Sequence, residues 1–183
     1  DITRLHVGVV GAGSVGAMVA ESLARMGVSH ISLFDFDSVE VENLDRLLHA
    51  KQVDAQLHRP KVAVLAKALR SSATAQPFRI DAYEWSVAEE EGFRAALDCD
   101  ILFSCVDRHW PRSVLNFIAY AHLIPVIDGG IRLVINKNGH GLKRGDMRAH
   151  VASPSHKCLE CLGQFDPGHV ATERDGYAND PNY

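Results

Sequence analysis

The chain has 183 residues, 46% hydrophobic and 23% charged, and its 19 basic and 23 acidic side chains leave a net charge of −4. That length suits one domain with a sizeable core. The acidic balance argues against nucleic acid as the main partner, the apolar runs are too short to cross a membrane, and four scattered cysteines argue for a reducing, cytoplasmic compartment rather than a disulfide scaffold.

The first apolar run, "LHVGVVGAG", is β-branched and closes in glycines. "SVGAMVAESLARMG" has helical spacing at Val15, Met18, Val19, Ser22, Leu23 and Met26, with Gly27 as a C-terminal stop. "HISLFDFD" reads as a second buried strand, and "RPKVAVLAKALRSSA" as a helix with Pro60 at its first position. "PFRIDAYEW" is a third strand and "VAEEEGFRAAL" a weaker helix, whose acids suit the first turn. "CDILFSCVD", "PRSVLNFIAYAH" and "IPVIDGG" then give strand, helix and strand. This alternation predicts an α/β, Rossmann-like fold, with a mainly parallel sheet and helices on both faces.

The character changes near residue 130. "IRLVINKNGHGLKRGDMRAHVASP" places two apolar-rich runs around Asn138-Gly139, a β-hairpin signal. From Ser153 onward the chain is rich in Pro, Gly, Asn and Asp and reads as irregular. The expectation is a nucleotide-binding core over 5–130 followed by a hairpin and irregular segment over 131–183. The first residue is Asp1, not Met, so a single domain truncated at both ends is expected.

The loop "GAGSVG" sets Gly11, Gly13 and Gly16, with Ser14 among them, between the first strand and the first helix. Such a loop lets backbone approach a phosphate, and the helix start supplies N–H donors and a positive dipole end. Asp35 closes the second strand about twenty residues on, where an acid takes ribose hydroxyls. To this point NAD and ATP fit equally well. Asp37, Asn43 and Arg46 follow in one short loop, and Lys61 stands in the first turn of the next predicted helix. Arginine grips phosphate with a fork of donors. A lysine in a first turn opposes the dipole by about 0.3–1 kcal/mol, which makes sense where an anion docks between them. The plainer alternative is a solvated lysine. Asp107 ends the fourth strand, where a carboxylate facing phosphates would bind magnesium; the alternative is an N-cap for the helix near Pro111.

Taken together, "VGVVGAGSVGAMVAESLARMGVSHISLFDFDSVEVENLDR", "RPKV" and "DILFSCVDRHWPRSVLNFIAYAHLIPVIDGG" resemble the ThiF/MoeB/HesA family, from Leu5 to about Gly163. This is the adenylation domain shared with ubiquitin-activating enzymes. The resemblance implies ATP and magnesium as cofactors. It implies adenylation of the C-terminal glycine carboxylate of a ubiquitin-like or sulfur-carrier protein, release of pyrophosphate, and a homodimer. By position, Asp35 would hold ribose, Asn43, Arg46 and Lys61 the phosphates, and Asp107 the magnesium, with Arg112 and Asn116 in support.

This sequence departs from the family at several points. Ser14 stands where a glycine is common, and Leu47 where a glutamine often follows the arginine. The family usually carries two C-x-x-C pairs on one zinc, whereas here Cys158 and Cys161 form a half site. The remaining ligands would lie beyond Tyr183 or come from His156 and His169; a pair without metal is the alternative. Cys99 and Cys105 read as core residues. Three further functions compete with carrier-protein adenylation. One is a relative that activates a carboxylate on tRNA. Another is a nicotinamide oxidoreductase, disfavoured by Arg46 and Lys61. The third is a non-catalytic partner subunit, disfavoured by the retained ATP-binding side chains.

Overall fold

The computed structural model describes residues 1–136, 139 and 141–177. Among these residues, six strands form one sheet in the order β3-β2-β1-β4-β5-β6. The strands are β1 His6–Val10, β2 His30–Phe34, β3 Arg79–Tyr83, β4 Ile101–Ser104, β5 Val126–Ile135 and β6 Leu142–Ala152. The first five are parallel and β6 is antiparallel to β5. The predicted mainly parallel, Rossmann-like sheet is therefore the one found.

The helices are α1 Ser14–Arg25, α2 Gln52–Gln56, α3 Lys61–Ser72, α4 Glu90–Ala96, α5 His109–Ala121 and α6 Pro167–Arg174. On one face of the sheet, Val7, Val9, Ile31 and Leu33 pack against Ala17, Ala20 and Ala24 of α1 and Val62, Leu65 and Leu69 of α3. On the other, Val10, Phe34 and Leu102 pack against Ala96 of α4 and Leu115 and Ile118 of α5. Among the described residues, no helix is long and apolar enough to cross a membrane.

Several local expectations are corrected. The buried stripe of α1 is Gly16, Ala17, Ala20 and Ala24, while Val15, Met18 and Met26 are exposed. Small side chains let the helix approach the sheet closely: a Cβ on Gly16 would lie 1.7 Å from the carbonyl oxygen of Gly11. Pro60 is the N-cap of α3, and Lys61 the first helical residue. The fifth strand and the first hairpin run are one continuous strand, β5. Asn138 lies outside the described residues; Gly139 has φ +75°. The segment after Ser153 contains α6, which Asp166 caps by accepting from the backbone N–H of His169.

Candidate active site

Strand order reverses between β1 and β4, and that reversal opens a crevice at the carboxyl ends of the parallel strands. A cleft of about 350 Å³ occupies it. Its lining includes Gly11, Gly13, Ser14, Asp35, Asp37, Asn43, Arg46, Lys61 and Asp107. One cleft thus gathers nearly every residue singled out in the sequence. Of the residues read as holding nucleotide, Gly16 alone is outside the lining and serves the close packing of α1 on the glycine loop, while Arg112, Asn116, Cys158 and Cys161 also lie outside it.

Backbone bonds fix the floor. Gly11 donates to the carbonyl of Phe34 at 2.8 Å, and Cys105 to that of Val10 at 2.8 Å. Asp35 ties the loops together, accepting from the N–H of Ala12 at 2.6 Å and of Asp37 at 2.9 Å. Burial pushes the Asp35 carboxyl above the usual range, against the pull of these two donors. Gly11 has φ +94°, and a Cβ there would sit 2.6 Å from the carbonyl oxygen of Cys105, so the turn requires glycine twice over.

The cations line the same wall. The Asp37 carbonyl accepts from the N–H of Lys61 at 2.9 Å, and its carboxylate from Lys61 Nζ at 2.7 Å. Arg46 donates to the carbonyl of Glu42 at 2.8 Å and pairs with Asp45 at 3.0 Å. Asn43 Oδ1 accepts from the N–H of Glu40 at 3.4 Å, bracing that loop. Leu47 lies in a small core with Val39 and Ala55, which accounts for an apolar residue after the arginine.

Asp107 is exposed at the cleft and makes no hydrogen bond or ion pair with another described residue. It is not the cap of α5. Arg108 is the N-cap, and Glu173 of α6 accepts from the N–H groups of His109 at 3.0 Å and Trp110 at 2.7 Å. An unpartnered carboxylate beside cations that can hold phosphate is a hard oxygen donor of the kind magnesium selects.

Behind it lies a buried network. Asp128, fully buried, accepts from Ser104 at 2.7 Å, Arg112 Nε at 3.0 Å and Arg148 Nη2 at 3.0 Å. Arg112 also donates to the carbonyl of Val106, the residue before Asp107. Arg112 therefore faces inward and braces the strand end. Asn116 likewise braces the backbone, accepting from the N–H of Leu159 at 2.8 Å.

Cys158 and Cys161 adjoin each other. The N–H of Cys161 donates to Cys158 Sγ at 3.2 Å. Among the described residues, no third ligand atom gathers with them. His156 bonds Ser153, and His169 packs its ring 4.8 Å from that of His109. Burial pushes Cys99 and Cys105 up to about 12, consistent with core thiols rather than nucleophiles.

Sequence reading missed the far wall. Trp85, Ser86 and Val87 follow β3 and line the cleft, and Trp85 stacks on Tyr83 with ring centroids 5.1 Å apart. The signal was present, because Trp85 closes "PFRIDAYEW" at the same carboxyl edge as Asp35 and Asp107.

The chain is similar to several known proteins. A model of the ThiF family matches residues 1–177. Ubiquitin-like modifier-activating enzyme 5 of Bombyx mori is 33% identical over 131 residues, 63% of this chain and 31% of the relative. The protein of that name from Rattus norvegicus is 31% identical, over 63% of this chain and 30% of its own. The chain therefore spans about three-tenths of the length of these relatives. Among solved structures, E. coli tRNA N6-threonylcarbamoyladenosine dehydratase in complex with ATP superposes with a TM-score of 0.60 at 25% identity, covering 73% of this chain and 58% of that one. E. coli MccB with ATP gives 0.70 at 17% identity over 97% of this chain and 48% of its own, a likeness of fold alone.

Proposed function

Because the chain belongs to the ThiF family, we propose that it activates a carboxylate with ATP, forming an acyl adenylate and releasing pyrophosphate. The observation that carries this is the single cleft joining the glycine loop, Asp35, Asn43, Arg46, Lys61 and Asp107. A carboxylate oxygen would attack the α-phosphorus while the bond from that phosphorus to the bridging oxygen of the β-phosphate breaks. Two anions meet in that step, so charge neutralisation is the main task and no general base is needed. The α1 amino terminus and the glycine-loop N–H groups would face phosphate. Lys61 and Arg46 would turn from Asp37 and Asp45 toward it. Asp35 would accept from ribose hydroxyls, and the Trp85 wall would face the base. Asp107 would hold magnesium, which would supply further positive charge.

The acceptor we favour is the C-terminal glycine of a ubiquitin-like or sulfur-carrier protein, supported by the similarity to ubiquitin-like modifier-activating enzyme 5. Activation of a carboxylate on tRNA is the second reading, supported by the likeness to the tRNA dehydratase structures. We further propose a single ThiF-type domain comprising a core over 5–130 and an extension over 131–183. Exposed Val15 and Met18 on α1, with Met26 just past its end, are consistent with a homodimer, and four free cysteines with the cytoplasm. Zinc at Cys158 and Cys161 would need ligands beyond the described residues. The test is isotope exchange between pyrophosphate and ATP, with magnesium and either a ubiquitin-like protein or tRNA. Exchange that depends on the protein acceptor is expected. Exchange only with tRNA would select the second reading, and none with either, together with tight NAD binding, would overturn both.

A further inference from the structure

We propose that His6, His30 and Asp81 form a binding site for a divalent transition-metal ion at the amino-terminal end of the sheet, opposite the nucleotide cleft. The fold brings these residues together from three strands. His6 and His30 are register partners on β1 and β2, and Asp81 is the β3 partner of Ser32, two residues beyond His30 on the same face. One ligand atom from each lies within 4.8 Å of the others, and all three side chains are half-buried, open to an entering ion.

The hydrogen bonds prepare His6 as a ligand. Its Nδ1 is 2.8 Å from the carbonyl oxygen of Asp98, which can only accept, so Nδ1 carries the hydrogen. Its Nε2 therefore holds a lone pair, to which the Ser32 hydroxyl donates at 2.8 Å. A ring fixed by a backbone carbonyl on one nitrogen, with a lone pair on the other, is the usual support of a metal-binding histidine; the Ser32 hydroxyl must turn away for an ion to take that lone pair. His30 Nε2 lies 2.8 Å from Asp81 Oδ2; the carboxylate can only accept, so Nε2 carries the hydrogen and must release it or pass it to Nδ1 when an ion binds there.

Two further features must adjust. The His6 and His30 rings stack at 3.5 Å and 2°, whereas an ion shared by both nitrogens lies near the plane of each ring. One ring must turn about χ2, a soft torsion in histidine. Arg79 pairs with Asp81 at 3.0 Å, but its side chain is 69% exposed and can swing into water as the ion replaces its charge. Two imidazoles and one carboxylate suit zinc, cobalt or nickel rather than magnesium or calcium, with water completing the shell.

The test uses the whole chain with Cys158→Ser and Cys161→Ser, so that the cysteine pair cannot contribute, after stripping with a chelator. Cobalt(II) uptake is followed by visible absorption and zinc uptake by calorimetry. A single ion per chain is expected, with affinity at least about tenfold weaker in His30→Ala and in Asp81→Asn. Asp81→Asn preserves shape and keeps the test valid should His30→Ala fail to fold. No uptake, or uptake unchanged in both variants, would show a hydrogen-bonded ion pair and overturn the proposal.

Discussion

Lys61 Nζ sits 2.7 Å from Asp37 Oδ2, joining the first residue of α3 to the loop after β2. The lysine side chain is 12% exposed and its partner 51%, so one end of the pair is well hydrated. Such a pair adds about 0–1 kcal/mol to stability. Lys61→Ala should therefore leave the denaturation midpoint nearly unmoved. Pyrophosphate exchange should fall about 10²-fold, the usual cost of removing one preorganised charge-stabilising group. Asp37→Asn should be milder, because the backbone bond from Lys61 N–H to the Asp37 carbonyl survives. Wild-type exchange in Lys61→Ala would place the phosphates elsewhere.

Asp107 separates two roles that sequence alone left joined. Glu173 caps α5, so Asp107 is free of that duty. Asp107→Asn and Asp107→Ala should both stay within about 0.5 kcal/mol of wild-type stability. Both should abolish magnesium-dependent exchange. The reverse pattern is expected for Glu173→Ala, which strips the cap and should cost about 0.5–2 kcal/mol. An active Asp107→Asn protein at ordinary magnesium concentration would remove this residue from the chemistry.

The contrast between these residues shows what the sequence could convey. Alternation of apolar runs reveals strands and helices, and the ends of β1, β2 and β4 point to Gly11, Asp35 and Asp107, because the carboxyl edge of a parallel sheet is where ligands sit. Contacts between segments distant in sequence leave no such trace. Glu173 reaches α5 from 63 residues away, and Asp128 draws in Arg112 and Arg148 from separate elements. The α1 face was read only in part: Val19 and Leu23 pack against the core as expected, but hydrophobicity weighed without size missed the alanines and glycine buried where the backbone must come close and wrongly included Met18 and Met26, which are left outside. Trp85 was visible in position but carries no charge to draw attention.

Removal of Asp128 should be the most destructive single change at the strand end. It is fully buried and joins two arginines and Ser104. Asp128→Ala would leave Arg112, itself buried, without its counter-charge, at a cost of about 3–5 kcal/mol. Chemical denaturation measures it. A loss below about 1 kcal/mol would mean that water or movement of Arg148 replaces the carboxylate.

Asp35 should make nucleotide binding sensitive to acid. Its carboxyl is raised by burial from an ordinary 3.8, so the folded chain holds this proton to a higher pH than the unfolded chain does. This group favours folding most below pH 3.8, and that contribution is lost as pH rises through the folded value. Ribose hydroxyls need the ionised form as acceptor, so binding should weaken on acidification, beginning above the usual carboxylate range. Asp35→Asn should bind more weakly at neutral pH, because an amide cannot accept from Ala12, Asp37 and ribose together. Its binding should also lose this part of the acid dependence, and comparison with wild type removes the titration of ATP itself. Calorimetry with ATP from neutral pH down to about pH 4.5 gives both curves. Parallel curves for the two proteins would mean that Asp35 does not contact the nucleotide.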